Sequence, residues 1–281
     1  MNPDPVPGKA ELDHASLATL LRRAGFVAPE EEADELLDCA AGDAALLGSL
    51  VTRRLTGEPL AWVTGSVTFC DLVIRVHRNV YVPRWQSQQL ARRAVACLPP
   101  DGTAIDLCTG SGAIAKILAT ARPGARVVAT DIDARAAACA AANGVEAYRG
   151  DLFESLPPAL AGRADVVVAV VPYVPTPALP LLQRDTLAFE SALSYDGGKD
   201  GTRILRRVVT EAPHFLRPGG VILLELGGEQ VDILRPDLER LGYDAPAVLV
   251  DEDGDIRGLE ARCAAGAAGA AGAAGAAGAA T

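Results

Sequence analysis

Residues 106–115 read DLCTGSGAIA, an apolar run that ends in a G-x-G turn and opens into small helix-forming residues. Gly110 and Gly112 let the backbone turn tightly and approach a ligand, and a helix is predicted from about Ala113. Around this junction the apolar segments TAIDLC, RVVATD, VEAYRG, ADVVVAVV and GVILLEL alternate with helical stretches after Gly112, Asp133 and Asp200. That alternation predicts an α/β fold, a Rossmann-like parallel sheet covered by helices on both faces.

A G-x-G turn serves dehydrogenases, methyltransferases and unliganded junctions alike, so the surrounding residues must discriminate. No G-K-[ST] follows, which removes a triphosphate loop. Asp131 ends the next strand, 131 − 112 = 19 residues past the second glycine, where a carboxylate can accept from ribose hydroxyls. Asp106 precedes the glycines and Asp151 follows the third strand in RGDLF. A carboxylate inside the first motif suits a ligand with a cationic amino group and repels a pyrophosphate, and one after the third strand can receive an adenine amine. This pattern favours S-adenosylmethionine over NAD. Each acid also has a plain reading as a turn or helix cap, which is the reading preferred for Asp133. Three acids at successive strand ends are harder to explain as caps, because open α/β sheets bind ligands along that carboxyl edge.

The rest of the chain frames this core. At 281 residues and 49% hydrophobic composition it can bury a large domain and a small one. Residues 1–65 read as a helical bundle: HASLATLLRRAGF carries a leucine stripe, PEEEADELLDCA opens on proline and acids, and a third helix follows Asp43. Residues 66–86 alternate apolar and polar positions and predict a β-hairpin linker. Residues 87–263 form the sheet domain, and 264–281, an Ala/Gly repeat without core-building side chains, read as a disordered tail. Six scattered cysteines without a C-x-x-C pair predict neither a metal site nor disulfides. A net charge of −10 without a basic stripe disfavours nucleic acid. No run of eighteen apolar residues and a polar, acidic N-terminus place the expected chain in the cytoplasm, off the membrane.

Residues 164–176, ADVVVAVVPYVPT, form a buried strand running into a Pro-Tyr turn at the same carboxyl edge. As a strand the segment needs no further explanation; Tyr173, beside the cofactor glycines, does.

With these segments in view, the chain resembles the HemK-like protein-(glutamine-N5) methyltransferases over residues 50 to 262. RRLTGEPLAWVTG, VPR, DLCTGSGAIA, ATDID, GDLF, PYVPT, FESALSYDGGKDGTRIL and LRPGGVILLELGGEQ carry the resemblance. The Gly-Glu-Pro box and the E..AL..GG.DG segment are the most family-specific. The resemblance implies a class I methyltransferase sheet ending in an antiparallel strand, here DIRGLEARC. It further implies that Gly110, Gly112, Asp131 and Asp151 bind S-adenosylmethionine, with Asp106, Thr109, Ile132 and Leu152 lining the same pocket.

The departure lies at the acceptor. Family members carry Asn-Pro-Pro-Tyr, whose asparagine and adjoining carbonyl hold a glutamine amide; this chain has Val170-Val171-Pro172-Tyr173, and Arg84-Trp85-Gln86-Ser87 where the family has Arg-Pro-Glu-Thr. Removing one hydrogen-bonding group aimed at a transition state costs roughly a hundredfold in rate or more. The expectation is therefore a methyltransferase with a small-molecule acceptor methylated at N, O or C. Unchanged methylation of a peptide-chain release factor glutamine, through the Val171 carbonyl and Tyr173, is the alternative, and a catalytically silent cofactor-binding protein is another. Tyr173, Pro172, Val170 and Glu190 are the candidate acceptor-site residues; Glu190 ranks above His77 and His214 as a proton acceptor, and methyl transfer to an amine compels no base.

Overall fold

The computed structural model describes residues 13–182, 188–244 and 246–264. The Ala/Gly tail expected to be disordered and the acidic N-terminus lie outside the described residues. The chain divides into two compact units between Gly65 and Ser66.

In the first unit, α1 (His14–Arg23), α2 (Pro29–Ala40), α3 (Ala44–Leu55) and the short α4 (Leu60–Thr64) enclose Leu17, Leu21, Leu36, Leu50 and Val51. The starts follow the sequence signals. Asp13 caps α1 through Ser16 N, Pro29 opens α2, and the Asp43 carboxylate accepts from the amides of Ala45 and Leu46 at α3. The Gly-Glu-Pro box is structural here. Glu58 is buried and takes a forked pair of bonds from Arg53 (3.0 and 2.7 Å), while Arg54 forks onto Glu32 (2.6 and 2.9 Å). Breaking one partner of such a pair leaves the other charge half-buried and alone.

The second unit begins with a hairpin, β1 (Ser66–Phe69) and β2 (Leu72–Arg75), turned through Cys70 and Asp71, both with positive φ. Helix α5 (Ser87–Cys97) leads into β3 (Thr103–Leu107), α6 (Ala113–Ala121), β4 (Arg126–Asp131), α7 (Ala134–Ala142), β5 (Glu146–Arg149) and β6 (Ala164–Ala169). Then come α8 (Arg203–Phe215), β7 (Leu216–Glu225), α9 (Gly228–Arg240), β8 (Ala247–Val250) and β9 (Ile256–Arg262). Seven strands form one sheet in the order β5-β4-β3-β6-β7-β9-β8, with β5 through β7 parallel and β9 antiparallel to both neighbours. The reversal at β9 is the one the family resemblance implies.

Because both faces of β3, β6 and β7 are covered, their side chains read as continuous apolar runs rather than alternating ones. One face buries Ile105, Val167, Ile222 and Leu205, the other Ala104, Val166, Leu223 and Leu118, with Phe69 and Ile74 of the hairpin on that second face. Strand β8 and helices α5 and α9 were not anticipated from the sequence. β8 is short and partly exposed, so its pattern is weak. Helix α9 carries Pro236 and α5 opens on three polar residues, which mask their periodicity. Among the described residues no helix is long and apolar enough to cross a membrane, and no cluster of His, Cys, Asp and Glu could hold a metal ion.

Candidate active site

The strand order reverses between β3 and β6, whose carboxyl ends open a crevice, the place where open α/β sheets take ligands. A cavity of about 570 Å³ lies there, within the range of small-molecule sites. Gly110, Asp131, Ile132, Val170, Pro172 and Tyr173 all line it.

The cofactor end is built from the β3 to α6 junction. Gly112 has φ +80, and a Cβ there would stand 2.8 Å from the Ala140 Cβ, so only glycine lets α6 start against α7. Asp131 is held rigidly: Oδ2 accepts from Gly110 N and Oδ1 from Asp133 N, each at 2.9 Å. Burial pushes its carboxyl up, opposed by those two amide bonds. Each oxygen keeps lone-pair capacity toward the cavity, which suits a pair of ribose hydroxyls. Asp133 does cap α7, through Arg135 N at 2.8 Å, and lines the cavity as well. The donor set therefore fits S-adenosylmethionine at the ribose.

Other expected cofactor residues stand elsewhere. The buried Asp106 accepts at Oδ2 from Thr109 Oγ1 (2.6 Å) and Ala115 N (3.2 Å), so it and Thr109 brace the start of α6 instead of lining the cavity. Burial pushes the Asp106 carboxyl up to about 7. Asp151 does not share the cavity: Arg207 Nη1 lies 3.0 and 2.9 Å from its two oxygens, and it lines a separate hollow with Phe153 and His214. Leu152 is buried in the core. Sequence position could not tell these orientations apart, because the competing partners come from α6 and α8.

At the acceptor end, Tyr173 is fixed from three sides. Its hydroxyl donates to Glu225 Oε1 at 3.2 Å and its carbonyl accepts from Gln230 Nε2 at 2.6 Å. The DGG.DG segment packs against its backbone; a Cβ on Gly201, which has φ +77, would fall 2.2 Å from the Tyr173 carbonyl oxygen. Val174 exchanges backbone bonds with Tyr195 and Gly197, both at 2.8 Å, which staples the turn after Pro172. The family-specific glycines thus act by letting this segment press on the Pro-Tyr turn.

Glu190 is not a free base. Its carboxylate is buried, accepts from Val82 N at 2.9 Å and is bound by Arg84 Nη2 and by the Tyr195 hydroxyl. It positions the segment after the hairpin and does not line the cavity. His77 does not line it either, and His214 packs edge-on against Phe215 in the separate hollow. Sequence reading passed over Glu225, Gln230, Arg84, Gln86 and Tyr195, although LELGGEQ and the altered Arg84–Ser87 stretch were both in view. Burial pushes the Glu225 carboxyl up, opposed by Ser87 and Tyr173. Cys108 also lines the cavity, with φ +54 in the left-handed region.

Against known proteins, the chain is 36% identical over 248 residues to a release factor glutamine methyltransferase of Moorella thermoacetica, covering 84% of each. The chain belongs to the HemK family of S-adenosylmethionine-dependent methyltransferases. Within the HemK family it is also 33% identical over 237 residues, 78% of each chain, to a ribosomal protein uL3 glutamine methyltransferase of Bordetella pertussis. A solved ribosomal protein L11 methylase from Lactobacillus delbrueckii subsp. bulgaricus aligns with this HemK chain at a TM-score of 0.50 and 18% identity, covering 69% of the chain and 86% of that structure, a likeness of fold. No family model matches the chain.

Proposed function

We propose that this HemK-family enzyme methylates a glutamine side-chain amide of a protein of the translation machinery, a peptide-chain release factor first and a ribosomal protein second. The small-molecule acceptor expected from the valines gives way to this reading. The relatives at 33–36% identity carry names for protein glutamine methylation. The observation that carries the reading onto this chain is the rim of the cavity. Trp85, Leu193 and Ile132 line it and are 65, 77 and 60% exposed. Large apolar side chains held open to solvent around a site suit a macromolecular partner that covers them, whereas a metabolite would leave most of that surface wet.

When bound, S-adenosylmethionine supplies an electrophilic methyl group on a sulfonium. The chain's own residues then do the rest. Asp131 takes the ribose hydroxyls and Gly110 admits close approach of the ligand. Pro172 and Tyr173, stapled by the glycine segment, set the wall against which the acceptor nitrogen is aligned. Most of the rate gain in such an in-line displacement comes from alignment. An amide nitrogen is weakly nucleophilic, so a rigid wall matters more here than for an amine.

Incubation of the purified protein with methyl-labelled cofactor and release factors, followed by peptide mapping, tests this. Label on a glutamine is expected. Label confined to small molecules, or none with cofactor bound, would sink the proposal.

A further inference from the structure

Two residues that line the same cavity each carry a buried acceptor oxygen with no hydrogen-bond partner among the described residues. Glu225, 5% exposed at the end of β7, uses Oε1 for the Tyr173 hydroxyl, while its Oε2 has no hydrogen-bond partner among the described residues. The Ser87 hydroxyl, which helps oppose the upward push on this carboxyl, makes no bond of normal geometry to Oε2. Gln86, at the start of α5, likewise leaves its buried Oε1 without a partner. Both residues line the cavity that holds Val170 and Tyr173.

Orphaned buried acceptors are costly and rare, and each calls for a cause. Two of them in one cavity, beside a turn whose side chain at 170 can accept nothing, share one cause: the ligand brings the donors. Two acceptors match the two N–H bonds of a primary carboxamide. Both arginines that line the cavity are otherwise engaged: Arg257 binds Asp251 at 2.6 Å and Asp255 at 3.1 Å, and Arg84 binds Glu190 and the Tyr195 hydroxyl.

We infer that Gln86 Oε1 and Glu225 Oε2 form the acceptor-amide clamp of this enzyme, in place of a polar side chain at Val170. The inference rests on the proposed glutamine acceptor. Holding both N–H bonds fixes the amide plane, so that the nitrogen presents its face, rather than its hydrogens, to the methyl group. The altered stretch Arg84–Ser87 and the altered position 170 become two halves of one exchange: a carboxamide lost from the end of β6 and another supplied from the start of α5.

A thermodynamic cycle tests it. Binding of a release-factor peptide with glutamine, or with alanine in its place, is measured by calorimetry with S-adenosylhomocysteine present, for the wild type and Gln86→Ala. The clamp predicts that Gln86→Ala weakens the glutamine peptide about tenfold, leaves the alanine peptide unchanged, and that Val170→Asn in the Gln86→Ala background restores most of the loss. Glu225→Gln should lower kcat for the glutamine peptide on the order of a hundredfold while S-adenosylhomocysteine affinity holds. If the wild type methylates glutamine but the cycle is additive, with equal losses on both peptides, the clamp is overturned and the acceptor reading stands. If the wild type neither binds nor methylates any glutamine peptide, the acceptor reading falls and the clamp falls with it. Should Glu225→Gln fail to fold, the Gln86 cycle decides alone.

Discussion

Arg84 and Glu190, 106 residues apart in sequence, are joined through Arg84 Nη2 and Glu190 Oε2, with the Tyr195 hydroxyl accepting from the same Nη2 at 2.9 Å. The Glu190 side chain is 2% exposed and that of Arg84 38%. The pair ties the segment after the hairpin to the one that staples Tyr173. Glu190→Gln should therefore destabilise the enzyme by about 1–3 kcal/mol, below the range for breaking a fully buried pair because Arg84 keeps some solvent. Activity should drop without a shift in its pH profile. A profile that loses an acidic limb would instead mark Glu190 as a proton acceptor.

The Asp131 carboxylate, proposed to take the ribose hydroxyls, has its orientation set by two backbone amides. Asp131→Ala should weaken S-adenosylhomocysteine binding by about 1–3 kcal/mol, read by calorimetry. Unchanged affinity would remove the ribose assignment.

Asp151 faces Arg207 and not the cavity. The pair is well exposed, so its own contribution to stability is small, of order 0–1 kcal/mol. Asp151→Ala should reduce cofactor affinity much less than Asp131→Ala. Equal losses would mean that Asp151 leaves Arg207 to reach the adenine.

Cys108 holds φ +54 without the freedom of glycine. A left-handed backbone costs an L-residue about 1–2 kcal/mol, so Cys108→Gly should stabilise the fold by about 1 kcal/mol, measured by urea unfolding. Burial, with carboxylates nearby, also pushes its thiol far up, and alkylation at neutral pH should be slow.

Burial pushes the Asp106 carboxyl in the folded chain up to about 7, against 3.8 ordinarily. Below pH 3.8 it is protonated folded or unfolded, and its contribution is whole. Between 3.8 and 7 the unfolded chain sheds the proton that the folded chain keeps, so stability from this group falls as pH rises and is fully lost above 7. Asp106→Asn should flatten that slope, with its gain over the wild type greatest at pH 8 in melting experiments at pH 5 and 8. An advantage independent of pH would refute the assignment.

Much of this was legible in the chain as written. The central strands β3, β4, β6 and β7 announce themselves through apolar runs, because a sheet buried on both faces leaves little room for polar alternation, and the G-x-G junction marks the turn after the first of them; the final antiparallel strand, IRGLEAR, was legible only through the family resemblance. The helix starts at Pro29, Asp43 and Asp133 are equally local, since such signals act only on the amides of the first turn. Asp131 at its strand end follows from the same local logic.

What required the folded chain was the direction of each polar side chain. Asp106, Asp131 and Asp151 all sit at or near the carboxyl edge, yet Thr109 and α6 claim the first, Arg207 of α8 claims the third, and of the three only Asp131 lines the cavity. Glu190, the candidate proton acceptor of the sequence, is bound by Arg84, whereas Glu225 keeps one buried oxygen without a partner among the described residues. The sequence determines which carboxylates and amides exist and which strands carry them. Whether a given oxygen meets a partner or a ligand depends on groups tens of residues away, and only tertiary packing brings those groups within hydrogen-bonding distance.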